Sequence, residues 1–169
     1  MLAYLFWHRP RDGVAASAYE AALADFHRRL GIASRCERVA GVPWLDGGAG
    51  YLDWYFVAGW AALGEINSRA VTGQAEAPHA RVAALSGAGA GGVMELAQGD
   101  VSFRPVWQWL AKPAGMGYAE FYAGIPHGAA LWRRQMVLGP TAEFALAGDL
   151  VAWRVAQTEH SLVWGQPTA

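Results

Sequence analysis

The segment Val106–Leu131 reads VWQWLAKPAGMGYAEFYAGIPHGAAL, and it repeats in outline the segment Tyr4–Arg29 near the N-terminus. Both segments open with an apolar run that contains tryptophan and ends at a proline, YLFWHRP in the first and VWQWLAKP in the second. When the two runs are aligned, Trp7 falls on Trp109. This similarity predicts that the chain contains two related halves.

A second pair of similar runs follows in the same order. The run YFVAG, Tyr55–Gly59, returns as FALAG, Phe144–Gly148, with an aromatic residue, an aliphatic residue and then Ala-Gly at matching positions. Because the two pairs of similar runs occur in the same order, the sequence predicts a tandem duplication, with a first half at residues 1–100 and a second, shortened half at residues 101–169. Because 169 residues suffice for one good core, we expect one compact globular body.

The periodicity of apolar residues predicts the elements of each half. In the first half they are strand Ala3–His8, helix Val14–Leu30, strand Ser34–Leu45, strand Tyr51–Ala58, helix Trp60–Ala70 continued at Val82–Leu85, and strand Val93–Ala97. In the second half they are strand Val106–Ala111, helix Tyr118–Leu131, strand Trp132–Leu138, strand Thr141–Ala147, helix Leu150–Ala156 and strand His160–Trp164. The glycine-rich run Gly87–Gly92 predicts a flexible connection, because it lacks the Lys-Ser/Thr of a phosphate-binding loop.

This element order is that of the ferredoxin-like, or split βαβ, unit. The predicted fold class is therefore α+β, with two fused ferredoxin-like βαββαβ halves that form an internal, pseudo-dimeric α/β barrel. With the paired runs quoted above, the order resembles the dimeric α/β-barrel superfamily, which includes EthD-like proteins, antibiotic-biosynthesis monooxygenases and haem-binding relatives of chlorite dismutase. The resemblance implies a pocket for a small organic molecule or haem between sheet and helices. Members with one unit per chain dimerise to close the barrel, so a fused chain is expected to be a monomer or a loose homodimer.

The composition of the chain limits the kinds of molecule that we expect it to bind. A formal net charge of −1 gives no electrostatic reason to expect nucleic acid, and no window approaches the roughly 20 apolar residues that cross a bilayer. The N-terminus lacks the features of a secretory signal, so we expect a soluble cytoplasmic protein without a membrane partner. The lone Cys36 excludes a disulfide framework within the chain. Nine tryptophans indicate either an aromatic core or a cavity for a planar ligand.

Three residues are candidates for catalysis and four for ligand binding. The catalytic candidates are His8, Asp53 and His127, and the ligand-binding candidates are Tyr4, Phe6, Tyr55 and Trp109. A histidine, whose ordinary pKa is near 6.5, can exchange a proton with a ligand at neutral pH. A carboxylate among aromatic residues has its pKa raised unless it is paired. The alternatives are histidines that are solvated or hydrogen-bonded in the core, and an Asp53 that pairs with Arg35 or Arg38.

Two classes of function remain open. The first is a cofactor-free enzyme, monooxygenase-like or isomerase-like, that acts on a small apolar or planar organic molecule. The alternative is a non-catalytic protein that binds a small molecule or haem, or that serves a structural role. The five histidines are scattered without an HExxH pattern, so the sequence predicts no metal site.

Overall fold

The computed structural model describes residues 1–135, 141–149 and 151–165, and within them the chain forms a closed antiparallel barrel of eight strands with four helices. The strands are β1 (Leu2–Pro10), β2 (Ser34–Ala40), β3 (Ala49–Val57), β4 (Ser86–Gln98), β5 (Val106–Leu110), β6 (Ala130–Arg134), β7 (Phe144–Ala147) and β8 (Arg154–Trp164). The helices are α1 (Ala16–Leu30), α2 (Trp60–Ala70), α3 (Glu76–Leu85) and α4 (Tyr118–Ala123). Around the ring the strand order is β1-β3-β2-β8-β5-β7-β6-β4.

The prediction of two fused ferredoxin-like α/β halves is wrong. All eight strands belong to one closed antiparallel ring, and the described part of the second half has the short helix α4 and no second helix, so it is not a βαββαβ unit. The resemblance to the dimeric α/β-barrel superfamily and the tandem duplication were both predicted from those two halves. These two predictions are therefore wrong as well. The predicted division at residue 100 falls between β4 and β5 and stays a prediction.

Two predicted helices of the second half account for the error. The helix predicted at Tyr118–Leu131 ends at Ala123, because Gly124 follows and Gly128 adopts the left-handed region with φ 79°. The helix predicted at Leu150–Ala156 is replaced, in its described residues, by a turn and the start of β8. From Ala156 to Ser161, exposed positions of β8 alternate with buried or half-buried ones, which is the period of a strand.

Tryptophan side chains fill the barrel interior. Trp7 and Trp109, on β1 and β5, pack edge to face with ring centroids 5.6 Å apart. Trp54 packs against Trp107 at 5.4 Å and against Trp132 at 5.5 Å, and all five indoles are buried. The aromatic content of the sequence therefore builds a core, and it places Trp109 inside the barrel.

Buried charges join β2 to β8 inside the barrel. Glu37 accepts a hydrogen bond from Arg35 Nε through one carboxylate oxygen, and its other oxygen lies 2.5 Å from His160 Nδ1. The Arg35 guanidinium also lies over the Trp54 ring at 5.3 Å. Because each charge has a partner, the cluster can lie in the core, and Arg35 is not available to Asp53.

The outer face of β1 and β3 is covered by helices. Helix α1, predicted at Val14–Leu30, buries a stripe that contains Tyr19, Leu23, Phe26 and Leu30, and Gly31 ends the helix in the left-handed region with φ 65°. Among the described residues, none of the helices combines the length and the apolar character that crossing a membrane requires.

The glycine-rich run lies within β4, so the prediction of a flexible connection is wrong. Gly89 and Gly91 pair with β1 and lie beneath two aromatic rings of that strand. A Cβ at Gly89 would be 2.6 Å from Phe6 Cζ, and a Cβ at Gly91 would be 2.4 Å from Tyr4 Oη. The glycines therefore leave room for the rings that stand on the outer face.

Replacing Gly91 with alanine is expected to lower the free energy of unfolding by about 1–2 kcal/mol, because the Tyr4 ring must move. Gly92→Ala on the same strand is the matched control. Its Cβ would meet Trp7 at 3.9 Å, an ordinary contact, so no loss is expected, and the stiffer unfolded chain should raise stability by about 0.5–1 kcal/mol. Urea unfolding of both variants measures the difference, and equal effects would contradict this role for the glycines.

Candidate functional site

A cavity of about 560 Å³ lies between the outer face of the sheet and helices α1, α2 and α3. Its walls are mainly apolar and include Phe26, Leu30, Leu63, Ile66, Ala70, Val82 and Val93. Polar side chains that line it are His8, Asp53, Tyr55, Asn67, His79 and Ser86. A cavity of this size, apolar with a few polar groups, is typical of a binding site for a small organic molecule.

Strand register explains why polar groups meet at one wall of the cavity. Phe6 on β1 and Cys36 on β2 both pair with Asp53 on β3, which lies between them in the sheet. Side chains of directly paired residues stand on the same face of a sheet, within about 5 Å. The last turn of α1 packs over this row and adds His27 to it.

Asp53 is the centre of the cluster and is buried, with 3 % of its surface exposed. Tyr55 donates a hydrogen bond to its Oδ2 at 2.8 Å, and His8 Nε2 lies 3.2 Å from the same oxygen. His27 Nε2 lies 3.1 Å from Oδ1. Both imidazole contacts are within ion-pair distance, but neither ring nitrogen is aligned for a hydrogen bond with the carboxylate.

The charge state of Asp53 follows from these neighbours. Burial alone would raise the pKa of the carboxyl, but the charges of His27 and His8 and their contacts outweigh it and hold the pKa well below its usual range. The carboxylate is therefore ionised at neutral pH. The cavity, whose lining is mainly apolar, thus has a fixed negative group in one wall.

His8 is held by a chain of hydrogen bonds that runs away from Asp53. Its Nδ1 lies 2.7 Å from Tyr19 Oη, which lies 2.8 Å from Ser86 Oγ. Ser86 donates its one hydroxyl proton to the carbonyl oxygen of Val82, so Tyr19 donates to Ser86 and accepts from His8. Burial raises the pKa of Tyr19 to about 12, so the phenol keeps its proton. His8 Nδ1 therefore carries a proton, which it donates to Tyr19 Oη.

Behind Asp53 lie His27 and Cys36. His27 Nδ1 is 2.9 Å from Ser34 Oγ, and the His27 ring stacks on Tyr55 at 5.2 Å. Cys36 is fully buried, and burial followed by the charge of Asp53 raises the pKa of its thiol well above the ordinary value. The thiol of Cys36 therefore stays protonated at neutral pH when no metal ion is bound.

The structure brings five of the seven predicted site residues together and separates two. Tyr4, Phe6, His8, Asp53 and Tyr55 all line the cavity. Trp109 lies in the barrel interior instead. His127 is exposed in the turn after α4 and borders a different hollow, because the helix predicted to carry it ends at Ala123. These contacts establish where the side chains lie. Their roles in catalysis and ligand binding remain predictions.

The arginine pairing considered for Asp53 is not the one observed. Arg35 bonds to Glu37, and Arg38 bonds to Glu20, with Nε 2.6 Å from Oε1. Sequence reasoning also missed His27, Tyr19 and Ser86 as neighbours of the site. A signal existed for His27, since it lies four residues after Leu23 on the buried stripe of α1.

Comparison with known proteins found no family, no curated protein and no solved structure that matches this chain. Function is therefore argued from the geometry of the site alone.

Proposed function

We propose that this protein binds a small, mostly apolar organic molecule in the cavity, with a hydroxyl or similar donor of the molecule facing Asp53 and His8. The observation that supports this most is the pairing of an apolar cavity with a buried, ionised carboxylate at its wall. Apolar walls supply affinity through the area they remove from water, and a few polar groups fix the orientation of the ligand.

The polar groups at this wall favour a donor over an acid. Asp53 offers carboxylate oxygens that accept hydrogen bonds, and His8 Nε2 lies 3.2 Å from one of them. A ligand hydroxyl can donate to the carboxylate, whereas a ligand carboxylate would meet the charge of Asp53 in a poorly screened place. The proposed ligand is therefore a neutral phenol, alcohol or amide rather than an organic anion.

A second candidate is an enzyme that moves a proton at the donor group of such a ligand. His8 favours it, because the ring lines the cavity and lies between Asp53 and Tyr19. A carboxylate that orients an imidazole is a common arrangement for general acid–base catalysis. Catalysis would be supported if the protein converts a ligand that it binds, and if the His8→Gln variant loses this conversion but still binds the ligand.

Binding is tested by calorimetric titration with three probes of one shape: 2-naphthol, naphthalene and 2-naphthoate. We expect 2-naphthol to bind most tightly and 2-naphthoate most weakly, with a negative heat-capacity change that reports burial of apolar surface. Equal binding of the three probes would contradict the role given to Asp53. A Soret absorption band in the purified protein would contradict an apolar organic ligand and indicate haem.

A cavity-filling pair of variants locates the binding. Ala83 and Ala84 are adjacent and exposed on α3, but Ala83 lines the cavity and Ala84 does not. Ala83→Trp is expected to weaken 2-naphthol binding at least about tenfold by occupying the cavity, which corresponds to about 1.4 kcal/mol. Ala84→Trp should leave the affinity unchanged. If both variants bind as the parent does, the ligand lies elsewhere.

A further inference from the structure

Three potential metal ligands of different chemistry converge behind the cavity wall. They are His27 from α1, Cys36 from β2 and Asp53 from β3, and one ligand atom of each lies within 4.8 Å of the others. Each residue is at least 97 % buried. Cys36 and Asp53 are direct cross-strand partners, so the sheet fixes two of the three positions.

The contacts between these atoms do not satisfy them as hydrogen bonds. Within the part of the chain that the structure describes, His27 Nε2 and Asp53 Oδ1 have no hydrogen-bond partner, although they lie 3.1 Å apart. Buried side-chain polar atoms normally have a partner. A ring nitrogen and a carboxylate oxygen that lie side by side without pointing at each other have the arrangement of two ligands around a common ion.

The other polar atoms of two of these side chains are anchored in the manner of a metal site. Ser34 Oγ lies 2.9 Å from His27 Nδ1, which leaves Nε2 facing the cluster. Tyr55 donates to Asp53 Oδ2 at 2.8 Å, which leaves Oδ1 facing the cluster. Such outer contacts orient metal-binding side chains.

We propose that His27, Cys36 and Asp53 bind one divalent transition-metal ion, with Zn²⁺ the best match to a set of one nitrogen, one sulfur and one oxygen ligand. Zn²⁺ takes these ligand types in tetrahedral geometry, and three protein ligands leave a fourth position open. Asp53 also lines the cavity, so the proposed ion would lie next to the cavity wall.

The three ligands come from three separate segments of the chain, and no local spacing marks them. The sequence therefore predicted no metal site, whereas strand pairing and helix packing place the ligands together. This inference goes beyond the proposed function and does not rest on it, because 2-naphthol binding is measured on metal-free protein.

The test is titration of the tag-free, metal-free full chain with Co²⁺ and with Zn²⁺. We expect one Co²⁺ per chain, a thiolate-to-cobalt charge-transfer band in the near ultraviolet, and loss of that band when Zn²⁺ displaces Co²⁺. Absence of stoichiometric binding, or binding without the thiolate band, would overturn the proposal. Because both results come from the unaltered chain, the outcome does not depend on a variant that folds.

Variants then identify the ligands. Cys36→Ser should remove the charge-transfer band, and Cys36→Ser and His27→Gln should each weaken Co²⁺ binding at least about tenfold. His127→Ala is the matched control, since His127 is exposed in the turn after α4 and lies outside the cluster, and it should leave band and affinity unchanged. Circular dichroism confirms that each variant is folded. An unchanged band in folded Cys36→Ser would overturn the assignment.

Discussion

Replacing Asp53 with asparagine is expected to lower the free energy of unfolding of the metal-free protein by about 3–5 kcal/mol. The amide keeps the shape of the side chain but removes the charge that faces His8 and His27. Both rings then lie buried beside a neutral group, and Tyr55 loses a charged acceptor for its hydroxyl. Breaking a buried ionic cluster by removing one partner is among the most costly single changes.

Urea unfolding followed by tryptophan fluorescence measures this loss, with the slope of the transition unchanged. The control is Asp12→Asn, whose side chain is 98 % exposed and lies 3.8 Å from Arg9 in a loose ion pair. It should change stability by less than about 0.5 kcal/mol. A cost below about 1 kcal/mol for Asp53→Asn would mean that the two imidazoles do not depend on this carboxylate.

Replacing Trp54 with alanine is expected to cost about 3–5 kcal/mol as well, for a different reason. Trp54 is fully buried in the barrel interior and packs against Trp107 and Trp132. Removing the indole leaves a hole that a closed ring of strands cannot collapse to fill. Trp60→Ala is the matched control, because Trp60 is 58 % exposed at the start of α2 and should change stability by less than about 0.5 kcal/mol.

The Trp54→Ala variant also tests which face of β3 contacts the ligand. Trp54 points into the barrel, whereas its neighbours Asp53 and Tyr55 line the cavity on the outer face. Folded Trp54→Ala, assayed below its transition, should therefore bind 2-naphthol with unchanged affinity. A large loss of affinity would indicate that the ligand enters the barrel interior.

Local patterns predicted the elements that surround the site. In the strand predicted at Ala3–His8, alternate residues such as Tyr4, Phe6 and His8 share one face, and the structure places all three at the cavity. The apolar spacing of α1 gave its buried stripe, since a period near 3.6 is visible in the sequence. These features depend on residues close together in the chain, which is why sequence reasoning found them.

Features that depend on distant pairing were not predictable in the same way. β2 pairs with β8 across more than 100 residues, and the buried contact between Glu37 and His160 has no local signal. The glycines of β4 predicted a loop, because the sequence does not show that aromatic rings lie over Gly89 and Gly91. His127 was misplaced because α4 ends at Ala123, before Gly124, although the apolar spacing continues beyond it.

Ligand binding in the cavity beside Asp53 is tested most directly by a two-dimensional proton–carbon NMR spectrum of the five histidine rings, recorded while 2-naphthol is added to the metal-free protein. The histidines sample distinct places, with His8 and His79 at the cavity, His160 inside the barrel and His127 on the outer surface. If the cavity beside Asp53 is the binding site, the His8 and His79 signals shift and saturate together, and those of His127 and His160 do not move. Shifts confined to His127 or His160, with His8 unchanged, would contradict the account.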